Sequence, residues 1–123
     1  AVSGVTHKLF DFFSAMQYAY SAADLAICRA GATTIAELQK FSLPALIIPY
    51  PFAFAHQASN ARVLENIGAA EVILDADLVV EKLKDKLQEF FCDSQKLRLM
   101  RQAYQKLPVL NAAEMLAKEV LLQ

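Results

Sequence analysis

Leu25-Ala26-Ile27-Cys28-Arg29-Ala30-Gly31-Ala32-Thr33-Thr34-Ile35-Ala36-Glu37 is the stretch that decides the fold. Its first four residues are wholly apolar and follow Asp24, as expected of a strand buried on both faces. Arg29 to Ala32 reads as a turn around Gly31. Thr33 or Thr34 can cap a helix that runs to about Phe41, with Glu37 in its first turns. Strand, glycine turn and helix in direct succession form the first half of a β-α-β unit, in which the strands run parallel.

The pattern continues outward. Ala45 to Ile48 is a second apolar run, stopped by Pro49 and Pro51, and residues 49–55 form a loop. Gln57 to Ile67 reads as a helix, with Gly68 where a left-handed C-terminal cap belongs. Glu71 to Leu74 is a third strand. Upstream, Asp11 to Ala23 reads as a helix with Phe12, Ala15, Met16, Ala19 and Ala22 or Ala23 on one stripe. Downstream, Val79 to Phe91, Ser94 to Leu107 and Asn111 to Leu122 read as helices. The fold class is therefore α/β: a parallel sheet with helices on both faces. Tyr18, Tyr20, Phe90 and Phe91 are expected in the core or at a domain interface, and Cys28 as an inert thiol on a buried strand. Lys82, Lys84 and Lys86 belong to a solvated helix face.

Composition narrows the function classes. Twelve Lys and Arg against 13 Asp and Glu give a formal charge of −1, which offers no electrostatic footprint for nucleic acid or anionic lipid. Hydrophobic residues make up 56% of the 123 residues, enough for a core and incompatible with disorder. Cys28 and Cys92 are too far apart for a metal-type spacing, which favours a reducing cytoplasm over a disulfide scaffold. The longest apolar run, Leu43 to Ala55, carries three prolines and is too short to span a bilayer. No signal peptide is visible. Without repeats or linkers, residues 1–123 read as one domain. The absent initiator Met suggests a piece of something longer.

Ligands of parallel α/β sheets sit at the carboxyl ends of the strands, here the loops 29–34 and 49–56. Gly31 lets the backbone approach a ligand closely. The N–H groups of Ala32, Thr33 and Thr34 at a helix N-terminus make an anion site, and the Thr34 hydroxyl adds a donor. Glu37, one turn deeper, would oppose a phosphate but suits the vicinal hydroxyls of a ribose. Residue types alone equally describe a capped helix with a solvated glutamate. In His56-Gln57-Ala58-Ser59-Asn60, Gln57 has the donors and acceptor that sugar hydroxyls need, and Asn60 lies one turn later. Ordinary N-terminal capping is the competing account of these residues, and a solvated or structural histidine that of His56.

Together these segments carry a resemblance. Phe12-Phe13-Ser14-Ala15-Met16, Ala22-Ala23-Asp24-Leu25, Cys28 to Glu37, Leu43-Pro44-Ala45, Ile48-Pro49, His56-Gln57 with Asn60-Ala61, and Gly68-Ala69-Ala70 are similar to the C-terminal domain of the MurG family. These are UDP-N-acetylglucosamine transferases of peptidoglycan lipid II synthesis, in glycosyltransferase family 28. The resemblance spans roughly residues 10 to 120. It implies a Rossmann-like C-terminal half of a GT-B enzyme, a single nucleotide-sugar-binding domain without the N-terminal acceptor domain. It implies a UDP-N-acetylglucosamine donor, inverting transfer to a lipid-linked acceptor, and a cytoplasmic enzyme peripheral to the inner face of the membrane. By analogy the Phe13 backbone reads uracil. The segment from Gly31 through Ala32, Thr33 and Thr34 to Ile35 and Ala36 holds the diphosphate, and Glu37 takes the ribose. Gln57, with His56 and Asn60 beside it, faces the sugar. Arg29 serves phosphate charge or braces the loop. No catalytic residue is assigned to this chain, no cofactor beyond the donor substrate is implied, and no Asp-x-Asp metal pair is expected at the site.

The departures are specific. The glycine-rich loops and the catalytic base of the family are not in these residues, and Phe52, Phe54 and Ala55 stand where the family often has a His and an Asp or Asn. Three rival readings keep the α/β domain: half of a UDP-sugar 2-epimerase, a stand-alone donor-binding subunit with a membrane-anchored partner, or a flavodoxin-like module without a nucleotide.

Overall fold

The computed structural model describes residues 6–52 and 56–107. The element order is α1 (Met16–Ala22), β1 (Ala26–Cys28), α2 (Ala32–Phe41), β2 (Ala45–Ile47), α3 (His56–Ile67), β3 (Ala70–Val72), α4 (Val80–Cys92) and α5 (Ser94–Ala103). Single 3-10 turns occupy Asp75–Asp77 and Tyr104–Lys106. The expected helix over Asn111 to Leu122 lies outside the described residues.

The three strands form a parallel sheet in the order β1-β2-β3, with Ala26, Ala45 and Ala70 in register. Alternation along β2 divides the core. Ala45 and Ile47 pack with Leu38 of α2, Leu64 of α3 and Tyr104. Leu46, with Ile48 just beyond, packs with Ile73, Phe90 of α4 and Met100 of α5. Successive side chains point to opposite faces of a strand, so an all-apolar β2 can be buried only if helices cover both faces. They do, and all three residues of β2 are fully buried.

The helix ends are built for direction. Gly68, at φ +87°, closes α3 with Ala69 N–H on Leu64 C=O and Gly68 N–H on Glu65 C=O, the paired bonds of a Schellman cap. Ser42 closes α2 in the same way at φ 50°. Basic side chains then reach the carboxyl ends. Arg101 donates to Phe41 C=O and Ala23 C=O, and Lys106 donates to Ile67 C=O, placing positive charge where the helix dipoles are negative. The buried Tyr104 hydroxyl donates to Leu43 C=O, and burial pushes its phenol well above the usual range. The opposite ends of α2 and α3 open at the carboxyl edge of the sheet.

Several expected boundaries move. α1 starts at Met16 rather than Asp11, after an uncapped Ala15. Asp, Ser and Phe are mediocre helix formers, and Phe12, the first member of the expected stripe, is 83% exposed. β3 starts one residue earlier than expected and ends at Val72. Ile73 N–H still bonds Ile47 C=O, whereas Leu74 turns outward. α2 begins at Gly31, not at a threonine cap: neither Thr33 nor Thr34 caps it through a side chain. α5 stops at Ala103 and tightens into a 3-10 turn. Tyr18 is exposed, and of the pair Phe90-Phe91 only the first is core, at 0% exposure against 69%. Among the described residues, no helix is long and apolar enough to cross a membrane.

The register of α4 is open to a direct check. Phe90→Ala should lower the unfolding free energy by about 3–5 kcal/mol. Phe91→Ala should change it by less than about 0.5 kcal/mol. Urea denaturation of the two variants measures both.

Candidate functional site at the carboxyl edge of the sheet

β1 delivers Arg29, Ala30 and Gly31 to the carboxyl edge of the sheet, where β2 delivers Ile48 to Tyr50. These two loops are joined through Ala30, which is completely buried. Its N–H donates to Gln57 Oε1 at 3.2 Å, and Tyr50 N–H donates to the same oxygen at 2.7 Å. Two backbone donors on one atom identify it as the carboxamide oxygen. Asn60 Nδ2 donates to Ala30 C=O at 3.0 Å. Gln57 and Asn60, one turn apart on α3, therefore hold both polar groups of Ala30. Neither caps its own helix, and the acceptor expected to face a sugar is already engaged. The Gln57 Nε2 group retains its donors.

Arg29 resolves toward bracing. Its Nη1 donates to Asp75 Oδ1 at 2.8 Å and to the carbonyls of Ile48 and Pro49 at 3.3 and 3.5 Å. The guanidinium lies 5.6 Å from the Tyr50 ring centroid, within cation–π range. The arginine thus fastens the ends of β1 and β2 to the turn that follows β3. Its charge is matched by Asp75, so it adds little net field to the site.

The positive end of the site is α2. The first helical bond runs from Ile35 N–H to Gly31 C=O, so the N–H groups of Ala32, Thr33 and Thr34 have no partner within the helix. No acidic residue stands in the first turn and no side chain caps it. Ala32 and Thr33 are exposed, Thr34 is half-buried and Ala36 is exposed, whereas Ile35 turns into the core. A Cβ built on Gly31 would meet only Thr34 Oγ1, at 3.9 Å. Nothing in the described chain needs that space kept clear.

Glu37 is half-buried on the third turn-face residue from Thr34, which places it about 5 Å deeper along the helix. Burial, and then the Glu37 carboxylate, push the Tyr20 phenol up to about 12. His56 is exposed at the start of α3, and Phe13 is half-buried before α1 with its ring 5.1 Å from that of Phe10. The structure brings residues 29–37, Gln57 and Asn60 together around one edge. Phe54 and Ala55 lie outside the described residues.

Sequence reasoning missed two contributors. Asp75 and Tyr50 hold Arg29. The signal for Asp75 was its place directly after the third strand, at the same edge as the two loops considered. Asp75-Ala76-Asp77 also corrects the expectation of no Asp-x-Asp pair. Its first carboxylate is taken by Arg29, and among the described residues no group of three or more His, Cys, Asp or Glu gathers. Cys28 fits its expected inertness: burial pushes its thiol up to about 11.

Parallel strands, helices on both faces and an open helix N-terminus at their carboxyl edge define a Rossmann-like α/β domain. The chain belongs to the glycosyltransferase family 28 C-terminal domain family, whose model matches residues 2–117. It is 44% identical over 114 residues to the UDP-N-acetylglucosamine--N-acetylmuramyl-(pentapeptide) pyrophosphoryl-undecaprenol N-acetylglucosamine transferase of Thermoanaerobacter pseudethanolicus, covering 92% of this chain and 31% of that protein. The like-named protein of Hahella chejuensis is 44% identical over 116 residues, 94% of this chain and 30% of that one. The crystal structure of Acinetobacter baumannii MurG superimposes with a TM-score of 0.71 at 35% identity, covering 80% of this chain and 28% of that one. The chain thus spans under a third of the length of these relatives.

The Ala30 junction predicts a stability cost independent of any ligand. Gln57→Leu strands a buried N–H on Ala30 and should destabilise the fold by about 1–3 kcal/mol, read by urea unfolding. A change below about 0.5 kcal/mol would mean that Gln57 does not hold the loops.

Proposed function

We propose that this chain is the donor-binding half of an inverting glycosyltransferase that transfers N-acetylglucosamine from UDP-N-acetylglucosamine to a lipid-linked acceptor in peptidoglycan synthesis. The observation that carries the reading is the uncapped N-terminus of α2 at the carboxyl edge of the sheet, with Gly31 before it and Glu37 one turn inside. Family membership and the names of the relatives point the same way.

In this reading each group has a distinct task. The free N–H groups of Ala32, Thr33 and Thr34 hold the diphosphate, and the helix dipole stabilises charge as it develops on the leaving group. Backbone donors and the dipole do this without a metal. Gly31 leaves room for the phosphate oxygens. Glu37 accepts from both ribose hydroxyls, far enough from the phosphates to limit repulsion. The backbone of Phe13 reads the uracil edge. The Gln57 Nε2 donors and His56 face the sugar ring, while Arg29 and Asn60 keep the loops in place. The acceptor and the general base come from the part of the relatives that this chain does not span, or from a partner subunit. Such an enzyme works at the cytoplasmic face of the membrane, where a lipid-linked acceptor is reached from water. The chain by itself should bind donor weakly and turn nothing over, because half of the positioning is elsewhere.

Calorimetric or NMR titration with UDP, UDP-N-acetylglucosamine, GDP and free N-acetylglucosamine tests this. The expected result is saturable binding of the two uridine compounds alone, weakened about 10- to 100-fold by Glu37→Ala, as for loss of hydrogen bonds to a charged group. A folded chain that binds neither uridine compound, or binds them equally well without Glu37, overturns the assignment.

A further inference from the structure

Among the described residues, Arg29 pairs with no acid but Asp75, and Asp75 with no base but Arg29. Nη1 and Oδ1 are 2.8 Å apart, and the two side chains are 49% and 36% exposed. An ion pair that wet adds little to stability. The guanidinium is also tied to the Ile48 and Pro49 carbonyls and lies against the Tyr50 ring, so it has a place at the ends of β1 and β2 without a carboxylate. What Asp75 adds is charge. It stands first in the turn Asp75–Asp77 that follows β3, at the edge where the Ala32, Thr33 and Thr34 amides open without partners in α2. A carboxylate there repels any anion those amides attract. Arg29 is three residues from Ala32, at most about 11 Å between Cα atoms. The Debye length in 0.1 M salt is about 10 Å, so an unpaired guanidinium would act on the same anion.

We infer that Asp75 is a positioning residue acting through Arg29: it holds the guanidinium onto the β2 loop and cancels its charge, so that the attraction on a bound diphosphate comes from the α2 amides. The inference rests on the donor-site reading above. Its physical basis is the size of the charges. The open end of a helix carries about half a positive charge, and an unpaired arginine beside it would add a full unit. That attraction would act on the donor and on the spent diphosphate alike, and binding that is equal before and after the chemical step does not speed it. Loss of the sugar leaves a terminal phosphate with about one negative charge more than the donor. An unpaired Arg29 would therefore favour the spent diphosphate over the donor. Asp75 removes that bias while Arg29 keeps its hold on the Ile48 and Pro49 carbonyls. The two roles of the pair, bracing and charge cancellation, separate in an Asp75→Asn variant, whose amide oxygen still accepts from Nη1 but carries no charge.

The test is a charge cycle read by NMR titration with UDP, in about 0.01 M and about 1 M salt, where the Debye length falls from about 30 Å to about 3 Å. The readout is the affinity at low salt divided by that at high salt, in which a general loosening of the site cancels. Asp75→Asn should raise this ratio about two- to fivefold, as expected of one uncompensated charge acting on a diphosphate through water. Arg29→Gln leaves Asp75 unmatched and should lower the ratio by a similar factor. The double variant again has no net charge at the pair, and its ratio should return toward that of the wild type. A purely structural role predicts something different: each variant weakens UDP at both salts alike and the ratio does not move. That result, or a ratio lowered by Asp75→Asn, overturns the inference and leaves the donor site standing. Asp75→Ser carries the same expectation should Asp75→Asn not fold. A folded wild type that binds UDP at neither salt removes the donor-site reading, and the inference with it.

Discussion

Everything at the carboxyl edge depends on how Ala30 is held. The residue lies between a strand that ends and a helix that has not begun, where neither supplies hydrogen bonds, yet it is fully buried. Leaving its N–H and C=O unpaired would cost several kcal/mol in total. Gln57 and Asn60 satisfy both from a neighbouring helix, and Gln57 takes Tyr50 N–H as well. This arrangement fixes the distance between the two crossover loops and with it the aim of the α2 N-terminus. A rigid aim matters because donors that need not reorganise stabilise developing charge better than flexible ones.

The charges of the domain follow the same axis. Arg101 and Lys106 sit at the carboxyl ends of α1, α2 and α3, satisfying carbonyls that face away from the site. A second cluster, Glu71, Glu89, Lys86 and Lys96, joins β3 to α4 and α5 on the far side of the sheet. Lys86 and Lys96 hold the exposed Glu89 carboxyl below its usual range. Both sets are structural, and both leave the α2 N-terminus without a competing anion from the described chain.

Much of this architecture could be read from residue order. The run at 45–48 was legible as a strand because burial on both faces demands uninterrupted apolar side chains; the run at 25–28 is a strand too, but not one buried on both faces as expected, since Ile27 is 47% exposed. Gly68 was legible because only a positive φ explains glycine after a helical run. The start of α1 was not, since Phe12 fits a helical stripe whether or not anything covers it. Threonines after Gly31 suggested a cap, but a cap depends on a rotamer, which spacing does not encode. The roles of Gln57, Asn60 and Asp75 were hidden for a different reason. Each acts on residues 27 to 46 positions away, and a side chain able to bind a sugar is equally able to bind a backbone.

That ambiguity bears on how the site distributes charge. Arginine in the 29–37 block invites an assignment to phosphate, but Asp75 lies 2.8 Å from it, and a paired guanidinium presents little net attraction. What remains to meet an anion is the cluster of partial charges on three amide groups, about half an elementary charge in all. In the proposed reading, a site of that strength would hold a diphosphate without trapping it, which suits a leaving group that must depart once the sugar has moved. In the same reading Glu37 would contribute selectivity: its repulsion tells against a second anion lodged deeper along the helix, and its lone pairs suit a diol there. On that proposal, weak attraction at the helix end and a negative charge one turn below would together favour a ligand with phosphate at one end and ribose hydroxyls next to it.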